Sequence, residues 1–114
     1  MPPRRNPLQL NVLQLKTLTL LQELARLPAY SRPGQAPGEV VITLLPQAHG
    51  DHFHLGDAVV AARDATGLAN RAVWVALERK GLVSRLAEGG VALTAEGLAY
   101  ATGLRAAILK QPAD

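Results

Sequence analysis

The sequence contains no cysteine, and aromatic residues make up only 4% of its 114 positions. Without cysteine the chain can form neither a disulfide framework nor a thiolate metal site, and nothing in it indicates an oxidising compartment. We therefore expect a cytoplasmic protein. Because aromatic residues are so few, the core must be aliphatic, with Phe53 and Trp74 as its rare large side chains.

Long apolar runs and a strong excess of one charge are missing as well. No stretch approaches the roughly 18 apolar residues of a membrane-spanning helix, so we expect no membrane partner. Twelve Lys and Arg against nine Asp and Glu give a formal net charge of +3, which favours a polyanion only modestly. The whole excess lies in one segment, where five basic residues stand against two acidic ones: Arg63, Arg71, Arg79, Lys80 and Arg85 against Asp64 and Glu78.

Signatures of catalysis are absent too. The sequence has no Ser-His-Asp set, no phosphate-binding loop and no Gly-x-Gly-x-x-Gly fingerprint. Its histidines do not follow the His-x-His-x-Asp-His order of metallo-β-lactamase-like hydrolases. We expect one domain, residues 1–114, without enzymatic activity.

Leucines dominate the first part of the chain. Their spacing predicts a helix over residues 7–27, with Asn6 as its N-terminal cap. They form two stripes, although a helix packed on a single small core needs only one. The second stripe is either wrapped by the rest of the chain or buried against a second copy, and we expect a homodimer built from this helix and the last one. The first stripe is Leu10, Leu13, Leu20, Leu24 and Leu27, and the second is Leu8, Val12, Leu15 and Leu18.

Strands and short helices are predicted for the middle of the chain. Residues 29–38 are rich in Pro and Gly and are predicted as a loop. The β-branched run 39–45 and the alternating HFHL motif at 52–55 predict a β-hairpin. Residues 57–67 follow as a short helix that begins at an aspartate cap, and residues 68–80 as a second helix. Two short helices joined this tightly are typical of a helix-turn-helix.

The remaining residues predict a hairpin and a final helix. Short strands at 82–86 and 91–93 flank the turn AEGG, whose glycines permit the positive φ of a tight hairpin. Thr94 is then the cap of a last helix over residues 95–110.

The motifs VWVALERKGLVSRL and VALTAEGLAYA resemble the recognition helix and the wing of winged helix-turn-helix domains in the MarR and PadR kinds of bacterial regulator. In those families a Leu-x-x-x-Gly-Leu-Val pattern leads into the wing, and a Leu-Thr-x-x-Gly pattern opens the next helix. The resemblance implies an α+β fold with the helix-turn-helix and wing at about residues 56–94, between an extra N-terminal and a C-terminal helix. It also implies a DNA-binding transcriptional regulator. The residues that carry the match are Leu77, Gly81, Leu82, Val83, Leu93, Thr94 and Gly97.

The resemblance further implies which residues contact double-stranded DNA. In such domains the second helix lies in the major groove, where exposed side chains meet base edges and flanking Lys and Arg hold phosphates. Asn70 is expected to pair with adenine, and Arg71 with guanine or a phosphate. The inward residues are then Ala69, Val73, Ala76 and Leu77, and the DNA-contacting ones are Asn70, Arg71, Val75, Arg79, Lys80 and Arg85.

In two places the sequence lacks the residues expected of a domain that binds DNA tightly. Ala72 and Val75 offer a base only methyl contacts, and Glu88 stands at the wing tip where a phosphate-binding Arg is expected. The alternative function is therefore a winged helix that binds a protein without contacting DNA. In that case Trp74 is part of the contact surface; otherwise it fills the core.

Three histidines and two aspartates fall within HGDHFHLGD, residues 49–57. On a strand, His52 and His54 point to the same side about 7 Å apart, which lets both imidazoles reach one ion. His49 and Asp51 in the preceding loop can complete the ligands, and imidazole favours zinc or nickel. Either these are exposed histidines on a hairpin, or they form a metal site and make the protein a metal-responsive regulator.

Overall fold

The computed structural model describes residues 6–87 and 90–111. Within these residues helices and strands are mixed, which confirms the α+β class. The helices are α1 (Val12–Leu24), α2 (Arg71–Arg79), α3 (Ala95–Ala99) and α4 (Arg105–Ile108). The strands are β1 (Ser31–Pro33), β2 (Val40–Ile42), β3 (His52–Leu55), β4 (Ala58–Ala61), β5 (Val83–Arg85) and β6 (Val91–Leu93). None of the helices in the described ranges has the length and apolar character needed to cross a bilayer.

The strands form two antiparallel sheets. The larger has the order β1-β2-β6-β5, so β1 and β5 are its two edges. Ile42 of β2 and Arg85 of β5 both lie opposite Val91 of β6. The smaller sheet is the hairpin of β3 and β4.

Helix α1 lies at the centre of the core. Leu18, Leu20, Leu21 and Leu24 are completely buried, because the helix packs against α2, α3 and the turns that precede α2. Burial of a leucine side chain stabilises a fold by roughly 1.5–3 kcal/mol. These four leucines are therefore a substantial part of the core.

Helix α1 begins at Val12, later than predicted. The side chain of Asn11 accepts a hydrogen bond from the backbone N–H of Gln14 at 2.8 Å, and the Gln14 side chain accepts one from the N–H of Asn11 at 3.0 Å. This reciprocal capping box satisfies two backbone donors at the helix start. The predicted range 7–27 is therefore too long, and the predicted Asn6 cap is wrong.

Asn6 instead fastens the N-terminal segment. Its backbone is left-handed, with a φ of 51°, and its side chain bonds both backbone groups of Leu10. The hydroxyl of Tyr100 donates to the Asn6 side-chain oxygen at 2.6 Å and accepts from the N–H of Leu8 at 3.1 Å. The segment before α1 is thus held against the end of α3.

The second leucine stripe of α1 is covered by the chain itself. Leu18 is completely buried, and Leu8 and Leu15 are partly buried against the core. Val12 is the member of the stripe that stays largely exposed, at 61%. Of the two alternatives for this stripe, wrapping by the rest of the chain is the one found. The homodimer was predicted because this stripe needed a partner to cover it. Since the chain itself covers most of the stripe, the homodimer stays a prediction that this stripe no longer supports.

Two predictions for the region before β3 are wrong. Residues 29–38 are not all loop, because β1 lies among them and pairs with β2. Nor does β2 form a hairpin with β3, since its other neighbour is β6. Val41 and Ile42 are buried, as expected of a strand between two neighbours. The local sequence does not reveal which neighbours these are.

The helix predicted over residues 57–67 is also wrong. Gly56 and Asp57 form the two-residue turn between β3 and β4, and Gly56 supplies the positive φ, 61°, that this turn requires. Asp57 is therefore a turn residue and not a helix cap. After β4, 3₁₀ turns at Ala62–Asp64 and Thr66–Ala69 lead to α2. The described residues thus contain no first α-helix of a helix-turn-helix.

The second half of the chain follows the prediction more closely. The two strands of the predicted wing are present as β5 and β6, although Glu88 in the turn between them lies outside the described residues. Helix α2 begins at Arg71, because Asn70 caps it. The last helix is split into α3 and α4, with Gly103 between them at a φ of 74°, a conformation that ends a helix.

Thr94 caps α3 as predicted. Its hydroxyl accepts from the N–H of Gly97 at 3.0 Å and donates to the carbonyl oxygen of Gly81 at 2.7 Å. One side chain thus starts α3 and fastens it to the turn that follows α2. This is the physical role of the threonine in the Leu-Thr-x-x-Gly motif.

Candidate functional site

Helix α2 has one buried and one exposed face. Val73 and Leu77 are buried in the core. On the opposite side Arg71, Val75 and Arg79 follow at intervals of four residues, which places them along one stripe. Both arginines are exposed, and Val75 is half-buried. The 9 residues of α2 make a rod about 13 Å long and about 10–12 Å across with its side chains, and this diameter fits the roughly 12 Å width of the DNA major groove.

The inward face of this helix is only partly as predicted. Val73 and Leu77 are buried, whereas Ala76 is half-buried and Ala69 is exposed. Ala69 belongs to the 3₁₀ turn before α2. Because α2 begins only after Ala69, helical spacing does not place Ala69 on the buried face of the helix.

Asn70 lies at the N-terminus of α2. Its side-chain oxygen accepts a hydrogen bond from the N–H of Ala72 at 3.0 Å. Bidentate pairing with adenine needs both the oxygen and the amino group of an asparagine. To read adenine in this way, Asn70 would have to give up the cap, which costs about 1 kcal/mol.

Two other predicted DNA contacts bond within the chain. The Lys80 ammonium donates to the carbonyl oxygen of Leu8 at 2.8 Å. Arg85 Nε donates to Glu78 Oε1 at 3.1 Å, and the other carboxylate oxygen accepts from the Arg85 backbone N–H at 3.2 Å. Lys80 and Arg85 are both exposed. An exposed ion pair such as Arg85–Glu78 contributes about 1 kcal/mol or less, and a hydrogen bond such as that of Lys80 contributes about as little. A phosphate can therefore replace either partner at small cost.

The acidic residues of the basic segment are both paired. Asp64 Oδ1 lies 2.7 Å from the ammonium of Lys16, which belongs to α1, and Glu78 pairs with Arg85. Four cations of the segment form no ion pair with another described residue: Arg63, Arg71, Arg79 and Lys80. The exposed surface of α2 and its C-terminus is therefore positively charged.

A groove of about 340 Å³ lies between α2 and the larger sheet. Arg71, Trp74 and Arg85 line it together with Leu44 and Leu45. Leu44 is 55% exposed and Leu45 40% exposed. Sequence reasoning missed the groove because it placed both leucines inside a strand, and no local signal marks the end of β2 before them.

Trp74 packs against the core and also lines the groove. It is half-buried against core residues, and its indole N–H donates to the carbonyl oxygen of Leu68 at 3.1 Å. The indole is thus fixed in place, with part of its surface facing the groove.

The three histidines lie on one side of a β-ribbon. The N–H of His49 donates to the carbonyl oxygen of His52 at 2.7 Å, and the return bond is 3.3 Å long. Gly50, with a φ of 65°, and Asp51 form the two-residue turn between them. Residues opposite each other in such a pair project to the same side, as do residues two apart on a strand. His54 therefore joins His49 and His52.

The imidazole rings are close together. Nε2 of His52 and Nε2 of His54 are 3.1 Å apart, and the two ring centroids are 4.8 Å apart. The His49 centroid lies 5.4 Å from that of His54 and 6.3 Å from that of His52. The same-side placement predicted for His52 and His54 is confirmed.

Asp51 is predicted as a metal ligand, but its carboxylate lies beside His52 on the side of the ring away from His54. Its carboxylate lies 3.3 Å from Nδ1 of His52, the ring nitrogen that does not face His54. As the side chains stand, no group of three or more His, Asp or Glu residues in the described part of the chain is arranged to hold a metal ion.

No protein-family model, curated protein or solved structure matches this chain. The features of the described residues that bear on function are the charge of α2, the adjacent groove and the histidines.

Proposed function

We propose that the protein binds double-stranded DNA through α2 and acts as a transcriptional regulator of the winged-helix type. The observation that carries this proposal is the exposed stripe of α2, in which two unpaired arginines stand on either side of Val75. Arg71 and Arg79 form no ion pair with a described carboxylate. An exposed helix with cations at both ends suits the major groove, which is wide enough to admit an α-helix and has phosphates along both sides.

The order of the elements supports the same proposal. Helix α1, strand β2, helix α2 and the β5–β6 hairpin occur in the order that the winged-helix resemblance implies, although β1, β3 and β4 are additional strands and the first helix of the motif is missing from the described residues. The β3–β4 hairpin and two 3₁₀ turns stand where the first helix of the motif is expected. The two 3₁₀ turns pack against α1, and the second of them also packs against α2, so they support α2 from the core side while its outer side stays exposed.

The three residues of the stripe, together with Lys80 and Arg85, contact the DNA in this proposal. Arg71, in the first turn of α2, contacts a guanine edge or a phosphate, as N-terminal residues of recognition helices do. Val75 contacts a thymine methyl, and Arg79 and Lys80 contact phosphates. Arg85 exchanges Glu78 for a phosphate when DNA binds. Because phosphate contacts dominate, affinity falls steeply with salt.

Fluorescence anisotropy of a labelled random-sequence duplex tests the proposal. Arg79→Ala is expected to weaken binding several-fold, since it removes one phosphate contact. Arg32→Ala is the matched control, because it removes the same charge from β1, at the edge of the sheet opposite β5. Equal affinities of the two variants, or no binding to any duplex at low salt, would contradict the proposal.

A second candidate function is the binding of a protein segment in the groove beside α2. The exposed Leu44 and Leu45 favour it, because they offer apolar surface next to the cations of Arg71 and Arg85. An extended segment with apolar and acidic side chains fits this chemistry. Peptides of that composition should bind the wild type and not the Leu44→Ser/Leu45→Ser variant, whereas DNA binding through α2 should survive this double substitution.

A further inference from the structure

We propose that His49, His52 and His54 bind one Zn²⁺ ion on the exposed side of the turn at residues 49–52. The proposal rests on the geometry of the histidines and is independent of DNA binding. Zinc is chosen because neutral imidazole is among its preferred ligands and the chain offers no thiolate.

Two of the three rings already have the spacing of zinc ligands. Zinc–nitrogen distances of about 2.0–2.1 Å and tetrahedral angles place two ligand nitrogens about 3.3 Å apart and their ring centroids about 5.2 Å apart. The Nε2 atoms of His52 and His54 are 3.1 Å apart, and their centroids 4.8 Å. An ion can lie between them with only small shifts of the rings.

His49 is the ligand that has to move. Its centroid is 5.4 Å from that of His54, which matches the expected spacing, but 6.3 Å from that of His52, about 1 Å too far for a shared tetrahedral ion. As the side chains of the described residues stand, no three such groups are arranged around one ion, and His49 is the ring that lies too far away. His49 is exposed, so its ring can turn without disturbing the core.

The backbone holds the three ligands in place before metal binds. His49 and His52 are joined by two backbone hydrogen bonds across their turn, and His52 and His54 belong to β3, which pairs with β4 along its length. The entropy lost in gathering the ligands is therefore largely lost on folding rather than on binding. Only the side-chain rotations remain to be fixed.

The contact between Asp51 and His52 supports the same assignment. Metal-binding histidines usually donate their second ring N–H to a carboxylate or carbonyl oxygen, which orients the ring and fixes its tautomer. Asp51 lies 3.3 Å from Nδ1 of His52. A proton on Nδ1 leaves Nε2 free to bind the ion, and Nε2 is the atom that faces His54. Asp51 is therefore a positioning residue for the site.

The surroundings leave room for a fourth ligand. A groove of about 290 Å³ is lined by His49 and His54 together with Tyr30 and residues 44–47, and no Lys or Arg is among its lining residues. A cation there meets no nearby positive charge from these residues. Three protein ligands and an open fourth position are the arrangement that zinc adopts when it binds water or a small anion.

Calorimetric titration of zinc chloride into the full chain tests the proposal. We expect one ion per chain, with His49→Gln, His52→Gln and His54→Gln each lowering the affinity about tenfold or more. Asp51→Asn should lower it less than a lost ligand does, and Asp57→Asn, in the turn at the other end of β3, should leave it unchanged. Equal weak binding by all variants would overturn the proposal, and so would full affinity in His49→Gln.

A second measurement does not depend on the variants. In ¹⁵N spectra of the histidine rings, one equivalent of zinc should shift the Nε2 resonance of His52 and of His54, and one ring nitrogen of His49. Unchanged ring spectra after zinc addition would overturn the assignment of the ligands.

Discussion

A β-carbon on Gly97 would overlap the backbone carbonyl oxygen of Leu82. Helix α3 thus lies directly against the backbone that leads from α2 into β5. The Thr94 hydroxyl, at the start of α3, donates to the neighbouring carbonyl oxygen of Gly81 at 2.7 Å. This hydrogen bond holds α3 against the same stretch of backbone. The position of the β5–β6 hairpin beside α2 depends on this close approach.

Gly97→Ala should therefore destabilise the fold. Alanine raises helix propensity by up to about 1 kcal/mol, but relief of the overlap requires α3 to move, and overpacking of this kind costs about 1–3 kcal/mol. We expect a net loss of about 1–2 kcal/mol in the free energy of unfolding by urea. The exposed neighbour Glu96→Ala should change it by less than about 0.5 kcal/mol.

Gly67 makes a similar contact with α1. A β-carbon there would overlap Oγ1 of Thr17, so the 3₁₀ turn before α2 packs directly on the central helix. Gly67→Ala is expected to cost about 1–3 kcal/mol in the free energy of unfolding. In a Thr17→Ala background the cost should fall by about 1 kcal/mol or more, because the overlapping atom is gone. A double-mutant cycle without coupling would contradict this contact.

Tyr100→Phe tests the attachment of the N-terminal segment. The substitution removes the hydrogen bonds of the hydroxyl to Asn6 and Leu8, and we expect a loss of about 1–2 kcal/mol in the free energy of unfolding. Tyr30→Phe is the control, since the Tyr30 hydroxyl forms no hydrogen bond with the described residues. Amide exchange near Leu8 should accelerate in Tyr100→Phe alone.

Glu78→Gln should strengthen DNA binding if α2 lies in the major groove. The substitution removes a negative charge beside Arg85 and frees its guanidinium, a surface effect of under about 1 kcal/mol, or roughly two- to fivefold in affinity at low salt. Asp57→Asn changes the net charge equally but lies in the smaller sheet, and it should have little effect. Anisotropy titrations that show equal gains would indicate a response to net charge alone.

Local signals in the sequence predict the second half of the chain well. The spacing of Val73 and Leu77 identifies the inward face of α2, and the cap at Thr94 marks the start of α3. Both signals involve residues within four positions of one another, so they do not depend on distant contacts. The strands β5 and β6 are found for the same reason, since they join through a short turn.

In the region from β3 to α2, local signals in the sequence do not distinguish a helix from a β-hairpin. Gly56 and Asp57 suit both a helix start and a two-residue hairpin turn. Pairing decides between them: Val60 and Phe53 lie opposite each other in the β3–β4 hairpin, and Val60 is completely buried. The burial of α1 on several sides likewise depends on elements distant in sequence, so two leucine stripes alone cannot distinguish a wrapped helix from a dimer interface.

The histidines were only half predictable from the strand pattern. Alternation on β3 places His52 and His54 on one side. The position of His49 depends on HGDH forming a two-residue turn, for which Gly50 was the available signal. The ring distances themselves follow from side-chain rotations, which the sequence does not specify.

Binding of a duplex by α2 should depend on salt through the phosphate contacts of its exposed arginines. For the wild type and for Arg71→Ala/Arg79→Ala, the logarithm of the binding constant is measured against the logarithm of the salt concentration. Loss of the Arg79 phosphate contact should reduce the slope by about one unit, and by about two where Arg71 also holds a phosphate rather than a guanine edge, while Arg32→Ala keeps the wild-type slope. Identical slopes for all three proteins would contradict DNA binding through the exposed stripe of α2.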